Sequence, residues 1–241
     1  MIGVIGGMGP LATADFFSKV IQCTPAEGDD GHVPLLISSD PRIPSRPAAL
    51  LADGPSPLPV LSAIRDRLLA AGARALVMPC NTAHYWYPEL LRDCPVPFPS
   101  IVAVGAQAAR VRAGAASDGR VGLVATRATL AAGVFERELA LQGLKAVHPD
   151  DETLDQLILP AIADVKAGRV AESLPKMTQA VERLLDAGAH CVLLACTEAP
   201  VALSGASPQL HARTVDTTLE LARHTVQLWR ELGLPSSPPG P

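Results

Sequence analysis

The chain of 241 residues lacks the features that mark several classes of protein. It has only two Trp and two Tyr, its net charge is −4, and its Lys and Arg residues form no cluster. The chain therefore has no basic patch to bind a polyanion and few aromatic side chains on which bases could stack, which argues against nucleic acid as a partner. Although 48% of the residues are hydrophobic, no apolar run approaches the roughly 18 to 20 residues of a membrane span.

The start of the chain, MIGVIGGMGP, has neither the basic segment nor the small-residue cleavage site of an export signal. The sequence therefore predicts a cytoplasmic protein without membrane contact. Five cysteines, an odd number, then argue against a disulfide scaffold. We interpret Cys23, Cys94 and Cys191 as core residues, which is the commoner role of cysteine, and treat Cys80 and Cys196 separately.

Short apolar runs alternate with helix-compatible stretches, a pattern typical of parallel sheets with helices on both faces. The first part of the chain has predicted strands at 2–7, 33–40 and 75–79 and predicted helices at 11–22 and 60–71. The proline-rich segment 41–59 is expected to be a long loop without regular structure, and such loops are often functional.

A second proline-rich segment, at 94–99, marks the predicted boundary between two lobes. The predicted lobes are 1–98 and 99–211, with a C-terminal helix in 212–234 packing back on the first lobe. The second part of the chain has predicted helices at 102–112, 129–141, 151–166, 171–185 and 214–232, and strands at 120–126 and 191–195. Residues 235–241 are predicted to be disordered. The expected fold class is α/β, with two pseudo-symmetric lobes and an active site in the cleft between them.

An internal repeat distinguishes two of the cysteines. Residues 68–82, LLAAGARALVMPCNT, align without a gap with residues 184–198, LLDAGAHCVLLACTE, so that Cys80 pairs with Cys196. Such a repeat indicates a fold built twice. Each cysteine follows a predicted parallel strand, and ligands of open α/β sheets bind beyond the carboxyl ends of the strands. If the two lobes face each other, both thiols enter one cleft, where they could invert a carbon centre placed between them.

Five segments in order along the chain resemble those of the aspartate/glutamate racemases that use no pyridoxal phosphate. They are IGGMGP at 5–10, PRIPSR at 41–46, CNTAH at 80–84, VGLVAT at 121–126 and ACTEAP at 195–200. The resemblance implies a two-lobe fold, usually a homodimer, that acts on a small amino-acid substrate without a cofactor. It also implies that Cys80 and Cys196 are the catalytic acid and base.

Further site residues follow from the same resemblance. The residues implied to hold the substrate's α-carboxylate and amino group are Asn81, Thr82, Thr126 and Thr197. Arg46 and Lys166 are implied to meet a side-chain carboxylate, and Met8 is a further predicted contact. The family usually has IPDR where this chain has IPSR, so Ser45 replaces an aspartate often credited with assisting a cysteine.

The chemistry of the proposed reaction explains why these residue types are needed. One general acid or base contributes roughly 10² to 10⁴-fold, so the developing enolate must also be stabilised, for example by backbone N–H groups in the turns after the strands. Glu198 is a candidate to orient or deprotonate Cys196. His84 is interpreted as a structural residue or as a neighbour of Cys80. The spacing of Cys80 and His84 could form half of a metal site, but no second pair at ligand spacing occurs.

Other functions remain open on the sequence alone. Residues 7–12, GMGPLA, fit the loose dinucleotide pattern G-x-G-x-x-A, although Asp40 comes late for a ribose-binding acid. The two-cysteine enzymes also include hydantoin racemases, maleate isomerases and arylmalonate decarboxylases. A non-catalytic binding protein that keeps the cleft is a third alternative, because Ser45 departs from the family pattern.

Overall fold

The structure is a computed structural model that describes residues 1–114 and 119–233. The tail for which the sequence predicts disorder, 235–241, lies outside the described residues. In the described part of the chain, no helix combines the length and the apolar character needed to cross a membrane.

The first sheet has three parallel strands, and its central strand is the first in the chain. The strands are β1 (Ile2–Gly6), β2 (Leu35–Ser39) and β3 (Ala75–Val77), in the order β2-β1-β3. Ile2 lies opposite Leu35 on one side and Ala75 on the other. Every residue of β1 is buried, as expected for a strand covered by helices on both faces.

Four helices belong to this half of the chain. They are α1 (Pro10–Cys23), α2 (Arg46–Leu51), α3 (Leu58–Ala70) and α4 (Tyr87–Arg92), and short 3-10 turns cover Asp29–Gly31 and Thr82–Trp86. Each of the four helices has a proline in its first turn, where the missing N–H of proline costs nothing.

The second sheet repeats the topology of the first and adds one strand. Its strands are β4 (Arg120–Val124), β5 (Lys145–Val147), β6 (Cys191–Leu194) and β7 (Thr214–Asp216), in the order β5-β4-β6-β7. All pairs are parallel. Because β5-β4-β6 matches β2-β1-β3 strand for strand, the repeat seen in the sequence is present in the sheets.

The remaining helices surround the second sheet or connect its strands. They are α5 (Ile101–Ala113), α6 (Arg127–Ala132), α7 (Val134–Leu141), α8 (Asp151–Thr153), α9 (Leu159–Lys166), α10 (Val170–Asp186), α11 (Ala199–Ala202), α12 (Pro208–His211) and α13 (Thr217–Glu231), with a π-helical turn at Leu154–Ile158. The predicted fold class, α/β with two parallel sheets flanked by helices, is confirmed.

One hydrophobic core joins the two sheets. Its buried side chains include Val4 of β1 and Leu123 of β4, together with residues of α1, α5 and α13. Helix α13 follows the last strand of the second sheet and packs on α1 and on α5. The two halves therefore share an apolar interior.

Several predicted elements were wrong in their limits. Segment 41–59 is not an irregular loop, because Ser45 caps α2 and Pro47 fits its first turn. The predicted helix 129–141 is divided at Gly133, whose φ of +62° lies in the left-handed region. The predicted helix 214–232 begins instead with strand β7. Strand β5 was not predicted, because its three residues are too short a run to show the alternation that identifies a strand.

Two glycines with similar backbone conformation allow a test of the close approach between the end of β1 and the backbone of Asp40. Gly7 has a φ of +95°, and a Cβ there would lie 2.3 Å from the backbone N of Asp40. Gly72 has a φ of +88°, with nothing within 4 Å of a Cβ. We expect Gly72→Ala to lower the free energy of unfolding by about 1 to 2 kcal/mol through backbone strain. Gly7→Ala should lower the free energy of unfolding by at least about 1 kcal/mol more than Gly72→Ala does, because the new Cβ also clashes with the backbone of Asp40. Equal losses in urea denaturation would contradict this.

Candidate active site

Cys80 and Cys196 occupy equivalent places in the two halves. Cys80 lies three residues beyond the end of β3, and Cys196 lies two residues beyond the end of β6. β3 and β6 are the matching neighbours of the central strands in their sheets. Both side chains are buried, with 4% of Cys80 and 6% of Cys196 exposed.

Both thiols line one cavity of about 30 Å³. Its lining residues are Met8, Arg46, Pro47, Cys80, Asn81, Thr82, Thr126, Lys166, Cys196, Thr197 and Glu198. All the predicted site residues except Ser45 and His84 therefore meet at this cavity, and Pro47 is a lining residue that the sequence analysis missed. It could have been found from its place beside Arg46.

A larger cavity of about 460 Å³ shares three of these residues, Arg46, Lys166 and Glu198. Its other walls include the start of α1 and the turn at Gly168. The two cavities are therefore neighbours, with Arg46, Lys166 and Glu198 at their common border.

Cys196 is paired with a carboxylate. Its Sγ donates a hydrogen bond to Oε2 of Glu198 at 3.1 Å, and Oγ1 of Thr197 donates to the same oxygen at 3.4 Å. Burial raises the pKa of the Cys196 thiol well above its usual range. The negative charge of Glu198 and the hydrogen bond that it accepts add to this increase. Cys196 is therefore held as a neutral thiol with a proton acceptor in contact.

Cys80 has cations as neighbours instead. Burial raises the pKa of its thiol, whereas the charge of Arg46, a hydrogen bond with the backbone of Ala83 and the charge of Lys166 oppose the increase. The charge of Glu198 adds a smaller increase to the pKa. The surroundings of Cys80 thus favour a thiolate more than those of Cys196 do.

Arg46 and Lys166 lie at the first residue of α2 and the last residue of α9. Nη1 of Arg46 donates to the backbone oxygens of Ile43, at 3.1 Å, and Pro44, at 2.9 Å. In the parts of the chain that the structure describes, neither cation forms an ion pair with a carboxylate. Two cations without acidic partners at one cavity are suited to an anionic ligand.

Threonine hydroxyls connect the two halves beside the thiols. Oγ1 of Thr82 lies 2.7 Å from Oγ1 of Thr129 and 3.5 Å from Oγ1 of Thr126, and the last two atoms are 2.9 Å apart. Thr126 also caps α6 by accepting from the backbone N–H of Thr129 at 3.2 Å. Thr129 was not among the residues predicted from the sequence. Its position three residues after a helix-capping threonine was the available signal.

His84 and Ser45 support the site from outside the cavity. The backbone N–H of Ile101 donates to Nε2 of His84 at 3.2 Å, so Nδ1 carries the proton and donates to the Cys80 carbonyl at 2.8 Å. Burial lowers the pKa of His84 to about 4, so the ring is neutral. Ser45 accepts from the backbone N–H of Ala48 at 3.3 Å and caps α2.

The two alternative sites suggested by the sequence have their key groups engaged elsewhere. Both ring nitrogens of His84 are used by backbone groups, and the described residues include no group of three or more metal-ligating side chains. The Asp40 carboxylate accepts from Nε and Nη2 of Arg42, at 2.9 Å and 3.0 Å.

Comparison with known proteins places this fold in one class. The aspartate racemase of Picrophilus torridus superposes with a TM-score of 0.77 at 27% identity, over 94% of this chain and 93% of that one. The architecture is thus that of the racemases. The broad specificity amino-acid racemase RacX of Bacillus subtilis is 26% identical over 95% of this chain and 98% of its own length. A glutamate racemase of Roseiflexus is 32% identical over 69% of this chain and 60% of its own length.

The profile of the Asp/Glu/hydantoin racemase family matches residues 5–225, which is most of the chain. The chain therefore belongs to the Asp/Glu/hydantoin racemase family, and the protein is a racemase.

The neutral state of His84 predicts a pH dependence of stability. Because its pKa is about 4 in the folded chain and 6.5 in the unfolded chain, its contribution is complete above pH 6.5 and is lost as the pH falls towards 4. Between pH 7 and pH 4, the free energy of unfolding of the wild type should fall by about 3 kcal/mol more than that of His84→Gln.

Urea denaturation across this pH range checks the prediction. The control is His211→Gln, which makes the same substitution at an exposed position. Parallel slopes for the wild type and His84→Gln would show that the buried ring does not resist protonation.

Proposed function

We propose that this protein is a cofactor-independent racemase of acidic amino acids, in which Cys80 and Cys196 transfer the Cα proton from opposite faces. The observation that carries the proposal is that a thiol from each repeated half lines one cavity with two cations, neither of which is paired with a carboxylate among the residues described. The names of the similar aspartate and glutamate racemases support the same substrate class.

The proposed reaction needs one thiolate and one thiol at a time. The thiolate takes the Cα proton, the C–H electron pair remains on the substrate as a planar enolate, and the opposite thiol gives its proton to the other face. Each turnover therefore inverts the carbon and exchanges the protonation states of the two sulfurs. No other reactant is required, because one proton is removed and one is returned.

The two thiolates form by different means in this proposal. Glu198 contacts the Cys196 thiol and can receive its proton, whereas Arg46 and Lys166 stabilise a Cys80 thiolate through their positive charges. The same cations, with the hydroxyls of Thr82, Thr126 and Thr197, offset the charge that develops on the substrate carboxylate in the enolate. Burial of the site strengthens each of these interactions, because the local dielectric constant is low.

A wider substrate range is the second candidate function. The adjoining cavity of about 460 Å³ begins at the two cations and is lined partly by Pro10, Leu11 and Val165, so side chains longer or less polar than that of aspartate have space there. The name of RacX, a broad specificity amino-acid racemase, points the same way.

Other properties follow from the same proposal. We propose lobes at 1–98 and 99–211, with the C-terminal helix of 212–234 returning to the first, a homodimer in solution, and a place in the cytoplasm. The hydantoin racemase, maleate isomerase, arylmalonate decarboxylase and non-catalytic binding alternatives remain the competing hypotheses.

Incubation of the reduced protein with the L and D forms of aspartate and glutamate in D₂O, without added cofactor, tests the reaction. We expect deuterium at Cα together with loss of optical rotation. Cys80→Ala and Cys196→Ala should each lower racemisation by at least about 10²-fold, because each removes one acid or base. Each variant should also retain Cα exchange with a different enantiomer only.

Cys94→Ala is the matched control, since Cys94 lies away from the cavity and its loss should leave the rate unchanged. Absence of exchange with all four substrates would remove the acidic-substrate proposal. Full racemisation by either active-site variant would exclude the two-base mechanism.

The role of Arg46 is tested against its neighbour Arg42. Arg46→Ala should raise the KM for the acidic substrate about tenfold or more, because a charge-assisted contact to its side-chain carboxylate is lost. It should lower kcat as well, because the positive charge beside the Cys80 thiol is removed. Arg42→Ala should change both values little, since Arg42 is exposed and pairs with Asp40. If Arg46→Ala leaves steady-state kinetics with aspartate and glutamate intact, the anchor for the side chain lies elsewhere.

A further inference from the structure

Asn81 reaches across from the first half of the chain to the start of α13. Its Nδ2 donates to Oγ1 of Thr217 at 3.2 Å, and Oγ1 of Thr217 donates to the Leu194 carbonyl at 2.9 Å. Thr217 is fully buried, and a Cβ on Gly105 would lie 2.8 Å from its methyl group, so a glycine is needed at that position. The threonine is therefore held in place by packing as well as by hydrogen bonds.

The hydrogen bonds of Thr217 fix the orientation of the Asn81 amide. A threonine hydroxyl has one hydrogen, and this one is directed to Leu194, so Oγ1 can only accept from Asn81. The amide must then present its NH₂ group to Thr217. Its oxygen, Oδ1, is buried and has no hydrogen-bond partner within 1–114 and 119–233, although Asn81 lines the cavity that both thiols share. A buried acceptor of this kind is costly unless a ligand or water supplies a donor.

We propose that Thr217 is a positioning residue that directs Oδ1 of Asn81 to the α-ammonium group of the substrate. In the zwitterion of an acidic amino acid, both carboxylates are acceptors, and all the hydrogen-bond donors are on the ammonium group. An acceptor without a donor, on a residue that lines the cavity, therefore matches one end of the substrate only. This inference rests on the proposed amino-acid substrate, and it gives α13 a part in recognising it.

The test compares pairs of ligands that differ in the ammonium group. Binding of aspartate and succinate, and of glutamate and glutarate, is measured by calorimetry on the whole protein. Thr217→Val keeps the shape of the side chain but frees the amide to turn. We expect Thr217→Val to weaken the binding of whichever amino acid the wild type binds more tightly by about tenfold. Binding of the dicarboxylate of the same length should weaken less than twofold. Thr217→Ser, which keeps the hydroxyl, should restore the wild-type preference.

Thr225 provides the control in the same helix. It is fully buried, and its Oγ1 donates to the Leu221 carbonyl at 2.7 Å, so Thr225→Val loses an equivalent hydrogen bond without contacting Asn81. Thr225→Val should bind the amino acid and the dicarboxylate as tightly as the wild type does. If Thr217→Val does not fold, Asn81→Ala leaves α13 unchanged and should lose the same preference for the amino acid.

Equal weakening of the amino acid and the dicarboxylate by Thr217→Val, or no weakening, would overturn the proposal. An Asn81→Ala protein that keeps the wild-type preference would overturn it as well. Because binding rather than turnover is measured, a wild type that binds aspartate but exchanges no Cα proton would contradict the proposed reaction and leave this inference standing.

Discussion

The hydrogen bonds that cross from the turn after β3 to the second half of the chain set the geometry of the site. Asn81 bonds to Thr217 and Thr82 to Thr129, and both bonds lie directly beside Cys80. A thiol on one sheet and a thiol on the other can face one small cavity only if the halves are held in a fixed relation. These buried polar contacts, together with the shared hydrophobic core, supply that constraint.

The repeat is close in topology and unequal in electrostatics. Cys196 contacts the Glu198 carboxylate, and Cys80 lies near the cations Arg46 and Lys166. In the first half, Ser45 serves as a helix cap. A symmetric pair of sulfurs is thereby surrounded by asymmetric charges, so the two directions of proton transfer rely on different neighbouring groups in the proposed mechanism.

The two thiols could be predicted from the repeat, because parallel strands bring the residues after β3 and β6 to corresponding ends of their sheets. Other lining residues, such as Arg46 and Lys166, were implied only by the resemblance to the racemases. The threonines that form hydrogen bonds to the lining residues could not be predicted from the sequence. Thr129 and Thr217 have no motif of their own, and Thr217 lies 136 residues from Asn81, so its contact depends on how the halves pack. Likewise, prolines in 41–59 suggested a loop, but a proline in the first turn is compatible with a helix.

Helix α13 makes the first half of the chain dependent on the second. It continues from the last strand of the second sheet, yet it lies against α1 of the first half, where side chains such as Phe16 and Val20 are buried. A gene fragment that encoded only the first repeat would leave part of this surface without its cover. The present halves are therefore not interchangeable copies, because the second supplies a helix that covers part of the first.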